Sequence, residues 1–193
     1  MPEGWELRTK PGTKATKFTV DPDAADGTGA LVIESENASG TFATQLKSVN
    51  LARTPILRWR WRVLDFPRDG DGRVPERDDQ AIAIYVSSGG RLNQRSVAYR
   101  WETKTPVGEE GDASYVGGIV KVHWIVLRNE DDGSGVFYLE KRNVAEDFQR
   151  AFGFVPDKPI IAVSANTQYT NSYSLAELDW IEITSAPEAP KQR

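Results

Sequence analysis

The stretch "LRWRWRV", residues 57–63, sets two tryptophans among three arginines. Successive side chains of a β-strand point to opposite faces. Read as a strand, the segment puts Leu57, Trp59, Trp61 and Val63 on one side and Arg58, Arg60 and Arg62 on the other. The apolar side suits a core, and the arginine side must meet water, acidic partners or a ligand.

The same period of two recurs along the chain. It predicts strands at "ALVIES" (30–35), "PILRWRWRV" (55–63), "QAIAIYVSS" (80–88), "RSVAYRWE" (95–102), "GIVKVHWIVL" (118–127), "GVFYLEKR" (135–142), "PIIAVSAN" (159–166) and "AELDWIEI" (176–183). Turn-forming stretches such as "SSGGRLN" (87–93) and "DDGSG" (131–135) separate them. Many short strands with Gly- and Asp-rich turns imply an all-β, antiparallel sandwich of jelly-roll type. One helix is expected over 144–152. Asn143 caps it with Glu146 as box partner, Val144, Phe148 and Phe152 make its apolar stripe, and Gly153 stops it. A single domain over 1–184 is expected, with a loose polar tail, rich in proline, over 185–193.

The bulk numbers exclude several function classes. With 193 residues, 39% hydrophobic and 27% charged, the chain is that of a soluble domain able to bury a substantial core. A net charge of −4 gives no electrostatic case for nucleic acid. No apolar run is long enough to span a membrane. The opening "MPEGWELRTK" lacks the apolar region of a signal peptide, so the protein is cytoplasmic or its leader has been removed. The absence of cysteine removes disulfides and thiolate chemistry, and a single histidine removes any site needing two.

If each strand's apolar set faces inward, Trp59, Trp61, Val97, Tyr99, Val122, Trp124, Ile161 and Val163 form the core. The outward set then collects Arg58, Arg60 and Arg62 from one strand and Asp79 and Tyr85 from the next. Arg100 and Glu102, then Lys121 and His123, follow, and Tyr138, Glu140 and Arg142, with Ser164, Asn166 and Gln168, complete it. Ala81, Ala83 and Ala98 fall on the same side and leave room for long arginines. Arginine forks, carboxylates and amides suit sugar hydroxyls or a uronate carboxylate. Tyr85, Tyr115, Tyr138, Tyr169 and Tyr173 are the candidate stacking rings.

The blocks "LRWRWRV", "RDDQAIAIYVS", "SVAYRWE" and "EKRNVAEDFQRAFG", with the opening "GWELRTKPG", resemble a bacterial domain-of-unknown-function family, number three thousand and forty-seven. The resemblance implies a jelly roll similar to galactose-binding-like and carbohydrate-binding modules. It also implies a secreted or periplasmic location, and it carries no established activity.

Two stretches bear on chemistry. "ELDWIE" (177–182) resembles the Glu-x-Asp-x-x-Glu signature of glycoside hydrolase family sixteen, which would make Glu177 the nucleophile and Glu182 the acid/base. A retaining mechanism needs its carboxyls about 5–5.5 Å apart. On a regular strand Glu182 points away from Glu177, so a bulge would be required. A lyase would instead use His123 or a tyrosine as base. The loop "DFPRDGDGRVPE" (65–76) offers Asp65, Asp69, Asp71 and Glu76 to a structural calcium, with no other cofactor implied. Three readings follow: a non-catalytic module binding polysaccharide or oligosaccharide, a polysaccharide-active hydrolase or lyase, or a structural and protein-interaction domain whose charged face is an ion-pair lattice.

Overall fold

The computed structural model describes residues 3–9, 12–90 and 92–185. All but Ser185 of the expected polar tail lies outside the described residues. Among the described residues twelve strands form two sheets packed face to face. In chain order they are β1 (Glu6–Arg8), β2 (Lys17–Asp21), β3 (Ala30–Glu36), β4 (Ser39–Gln45), β5 (Ile56–Asp65) and β6 (Gln80–Ser88). β7 (Arg95–Trp101), β8 (Glu110–Tyr115), β9 (Val120–Arg128), β10 (Tyr138–Asn143), β11 (Ile160–Asn166) and β12 (Tyr173–Thr184) follow. One sheet has the order β1-β4-β11-β6-β7-β9-β8, the other β10-β5-β12-β3-β2. The architecture is the expected jelly roll. All pairings are antiparallel except β7 with β9, because β9 returns from the β8 hairpin to lie between β7 and β8.

β5 organises the core as its sequence requires. Leu57, Trp59, Trp61 and Val63 are fully buried, and burial stabilises by roughly 1.5–3 kcal/mol for each large side chain. Their rings start an aromatic spine that joins the sheets. Trp59 meets Trp61 edge-on at 5.4 Å and stacks on Tyr99 at 5.3 Å, and Trp61 meets Trp101 at 5.6 Å. The other side of β5 answers the opening puzzle. Arg58 pairs with Glu182 at 2.8 Å, Arg60 with Asp179 at 2.5 Å and Arg62 with Glu177 at 2.9 Å, all across the β5–β12 pairing. The Phe137 ring lies 4.0 Å from the Arg60 guanidinium and 4.3 Å from that of Arg62. This face is an ion-pair ladder with an aromatic cover.

The helix α2 (Val144–Phe152) has the expected limits, Asn143 accepting from the Glu146 backbone N–H and Gly153 closing it in the left-handed conformation. A further single turn, α1 (Ala24–Gly27), whose Ala25 and Asp26 are in the left-handed conformation, donates the Ala25 N–H to Glu177 at 3.1 Å. No helix among the described residues is long and apolar enough to cross a membrane.

Candidate functional site

The outer face of the seven-stranded sheet carries a cleft of about 490 Å³. Alternation sets its floor. With Ile84, Val86, Val97 and Tyr99 turned into the core, Tyr85, Ser87, Ser96 and Arg100 turn out. β11 adds Ala162, Ser164 and Asn166, β4 adds Ser39 and Thr41, and β9 adds Val120 and Val122. A register shift opposite Ala165 gives β6 one extra residue. Gln80 therefore reaches the cleft, while Ala81, expected outside, joins the core. Tyr115 at the end of β8 and Val116, Gln168 and Tyr169 from the loops add to the lining. Val116 holds φ at 52°, a costly conformation for a β-branched residue, between Tyr115 and two glycines.

Arg100 is the centre of the floor and is 1% exposed. Its terminal nitrogen donates to Asp78 at 2.6 Å and to Glu102 at 3.0 Å, and its guanidinium lies 5.4 Å from the Trp124 ring centre. Burial works against the charge, but the acidic groups of Tyr85, Asp78 and Glu102 around it hold its pKa above the usual value. Glu102 also accepts the Gly72 N–H at 2.8 Å and the Thr105 hydroxyl. It thereby ties the long loop 66–79 to β7. A side chain at Gly72 would strike this carboxylate at 2.6 Å. Asp79, fully buried, accepts the backbone N–H groups of Tyr169 and Thr170 and so fixes the loop that bears Tyr169.

Tyr115 donates its hydroxyl to Asp78 at 3.1 Å. Burial, then the neighbouring acidic groups of Tyr85 and Asp78, push the Tyr115 phenol upward. Burial likewise raises Tyr85 against the opposing pull of Arg100. Both phenols are therefore held in the protonated form. Asp78 is the one carboxylate lining the cleft among the described residues. Since it shares a single arginine nitrogen with Glu102, the two acids are neighbours rather than a pair facing across a sugar.

Of the residues expected on one outward face, Tyr85, Arg100, Asn166 and Gln168 come together here, with Asp79 and Glu102 as buried supports. Others are elsewhere. Arg58, Arg60 and Arg62 face outward from the other sheet, so the structure does not bring them to the cleft. Tyr138, Glu140 and Arg142 stand opposite Trp61, Trp59 and Leu57 and share their inner side, at the open edge of the sandwich. There Glu140 accepts from Trp61 at 3.3 Å and from Arg128 at 2.7 Å, and Arg142 grips Asp147 at 2.8 Å.

β9 has the opposite phase to the one expected. Trp124 and Val122 are buried as expected, but in a small cluster on the cleft side with Ala98 and Val126. His123 accordingly turns to the other side, where its ring nitrogens lie 3.0 Å from Asp112 and 3.3 Å from Glu110. Glu177 and Glu182 do share a face, because β12 carries the bulge the sequence demanded between Leu178 and Trp180. That face is the ion-pair ladder, and each glutamate is held by an arginine. The calcium candidates do not converge. Asp71 closes a two-oxygen bridge with Arg73, which holds its carboxyl down at about 2, and Asp65 and Glu76 are exposed. No cluster of three or more metal-ligating side chains exists among the described residues.

Sequence reading missed Asp78, Gln80, Gln94, Ser96 and Arg8, which line the cleft. Ser96 was within reach, lying on the same side of its strand as Ala98 and Arg100.

Fold and cleft together define a jelly-roll sandwich with a polar groove over its larger sheet. The chain belongs to the family described as "Protein of unknown function (DUF3047)", whose model matches residues 3–182. No curated protein matches its sequence. Among solved structures it is similar to the xyloglucanase domain of NopAA, a type three effector from Sinorhizobium fredii solved with cellobiose. That likeness has a TM-score of 0.54 at 10% identity, over 96% of this chain and 94% of that one. It is also similar to the family 11 carbohydrate-binding module of Clostridium thermocellum in complex with a mixed-linked tetrasaccharide, with a TM-score of 0.49 at 7% identity over 98% and 93%. The chain spans 19% of the enzymatically active domain of bacteriophage CBA120 tailspike protein 4, at 9% identity, a TM-score of 0.42 and 94% coverage of this chain.

Proposed function

We propose that the protein is a non-catalytic carbohydrate-binding module whose ligand lies in the cleft of the seven-stranded sheet. One observation carries this reading. The cleft is lined by amides, hydroxyls and tyrosines, while its acids are committed to Arg100 and to loop backbone. Amides and hydroxyls both donate and accept, which is what a sugar hydroxyl requires, and tyrosine rings cover its apolar C–H face. Free, facing carboxyls are what hydrolysis would require instead. The fold likeness to a cellobiose-bound xyloglucanase domain agrees with a sugar ligand and does not discriminate binding from cleavage. We further propose a location outside the cytoplasm, where such polymers are met; cell fractionation checks this.

The test begins with a screen of soluble polysaccharides, followed by calorimetric titration of the best ligand. Gln168→Ala and Tyr169→Ala should each weaken binding about tenfold, equivalent to about 1.4 kcal/mol. Arg60→Ala, on the opposite sheet, should leave affinity unchanged. Loss of binding in Arg60→Ala with parent-like affinity in both cleft variants would move the site to the ion-pair face. Release of reducing ends by the purified protein would overturn the non-catalytic assignment.

A further inference from the structure

The charge around the cleft sets which sugars it accepts. Its floor holds one buried cation, Arg100, and that cation is already matched twice, by Asp78 and by Glu102. Asp79, buried next to them, adds a further carboxylate whose hydrogen bonds come from neutral backbone and hydroxyl donors. The remaining lining cation is Arg8 at the sheet edge, half-exposed and 3.9 Å from Glu6. The floor is therefore net negative. Tyr169 reports the same field from the cleft lining: after burial, the charges of Asp78 and Asp79 raise its phenol.

The open lining adds the complementary half. Ser39, Thr41, Gln94 and Gln168 line the cleft and are part-exposed. Hydroxyls and amides that both donate and accept suit a sugar hydroxyl, which does the same, better than a carboxylate, which only accepts.

Resting on the carbohydrate reading above, we infer that the cleft selects uncharged, hydroxyl-rich glycans and rejects uronic-acid and other anionic polymers. Arg100 does not serve as a receptor for a ligand carboxylate, because its charge is spent on Asp78 and Glu102. Asp78 is the specificity-determining residue, being the carboxylate that an anionic sugar would meet.

The experiment titrates the parent with neutral polymers (mixed-linkage glucan, xyloglucan, galactomannan) and with anionic ones (polygalacturonate, alginate, hyaluronate), at low and at high salt. A neutral polymer should bind with an affinity that salt changes by less than about twofold, and anionic polymers should bind at least about tenfold more weakly. Asp78→Asn, shown to melt like the parent, should narrow that gap by strengthening anionic binding. Where Asp78→Asn fails to fold, the parent's salt series decides: anionic binding that strengthens as salt screens the floor supports the inference, and anionic binding that stays weak at every salt concentration overturns it. Salt-sensitive binding of an anionic polymer as tight as any neutral one overturns the inference and leaves the carbohydrate reading standing. Binding to no polymer of either class overturns both.

Discussion

Asp147 is the residue on which the packing of α2 depends, and its removal has a calculable cost. Its carboxylate accepts from the Tyr99 hydroxyl at 2.7 Å, from Arg142 at 2.8 and 3.1 Å, and from Arg150 at 3.2 Å. In Asp147→Ala the Tyr99 hydroxyl, on a fully buried residue, loses its acceptor, at about 1–3 kcal/mol. Arg142 keeps 29% of its side chain in water and loses at most about 1 kcal/mol. Arg150, half-exposed, loses almost nothing. The sum is about 1–4 kcal/mol, a fall of roughly 2–16 °C in Tm for a chain of this size. Urea unfolding of the parent, Asp147→Ala, Tyr99→Phe and the double variant closes a cycle. Tyr99→Phe should cost about 1–2 kcal/mol alone and almost nothing after Asp147→Ala, giving a coupling of about 1–2 kcal/mol. If Asp147→Ala stays within about 0.5 kcal/mol of the parent, or the two changes add, the phenol–carboxylate bond is not what secures the helix.

Gly111→Ala should destabilise by about 1–3 kcal/mol and weaken glycan binding, because its Cβ would sit 2.2 Å from the Trp124 ring that backs Arg100; thermal melts and calorimetry read the two effects. Asp71 has a folded-state pKa of about 2, depressed by its hydrogen bonds to Arg73. Its stabilisation is therefore complete above its unfolded value of about 3.9 and disappears as the pH falls toward about 2. Asp71→Asn should flatten that part of the acid limb, followed by urea midpoints across the range, and should be less stable than the parent at neutral pH, the two proteins converging as the pH falls toward about 2. Trp61→Ala, in the aromatic spine, should cost about 3–5 kcal/mol by the same measurement.

How much of this was legible depended on whether a segment carried its own reason to fold. α2 did: cap, apolar stripe and terminal glycine are local chemistry, and its limits were found in the sequence. β5 did too, since seven residues of strict alternation admit few other structures. β1, β2, β4 and β8 did not. β4 reads "SGTFATQ" with Phe42 as its one large apolar residue, and it is a strand because β11 and β1 pair with it on either side. At Gly40 a side chain would press against Thr16 at 3.0 Å, a closeness that sequence does not announce. β8 is short and acidic, and its place follows from Gly111 lying under Trp124.

The site was legible in its parts and not in its assembly. Parity along a strand sorts two faces, but a sandwich has two outer surfaces, and parity is silent on which of them a strand supplies. Arg62 and Arg100 both point outward, from opposite sheets. On β9 both faces are partly apolar, so the choice of inner face fell to the tryptophan. The structure decides otherwise, because Ile125 and Leu127 pack into the core while Trp124 covers Gly111.

The two most suggestive motifs turn out to explain each other. "LRWRWRV" raised the problem of three arginines on a strand, and "ELDWIE" the problem of three acids on another. Across the β5–β12 pairing Arg62 faces Glu177, Arg60 faces Trp180 next to the bulged Asp179, and Arg58 faces Glu182. The bulge that a catalytic reading needed to turn Glu182 outward is the same feature that brings all three acids into register with the three arginines. Each of the three acids is thereby matched in charge by an arginine. The polar chemistry left unspent lies on the other sheet, around Arg100, where the flanking strands contribute amides and hydroxyls in place of opposing charge.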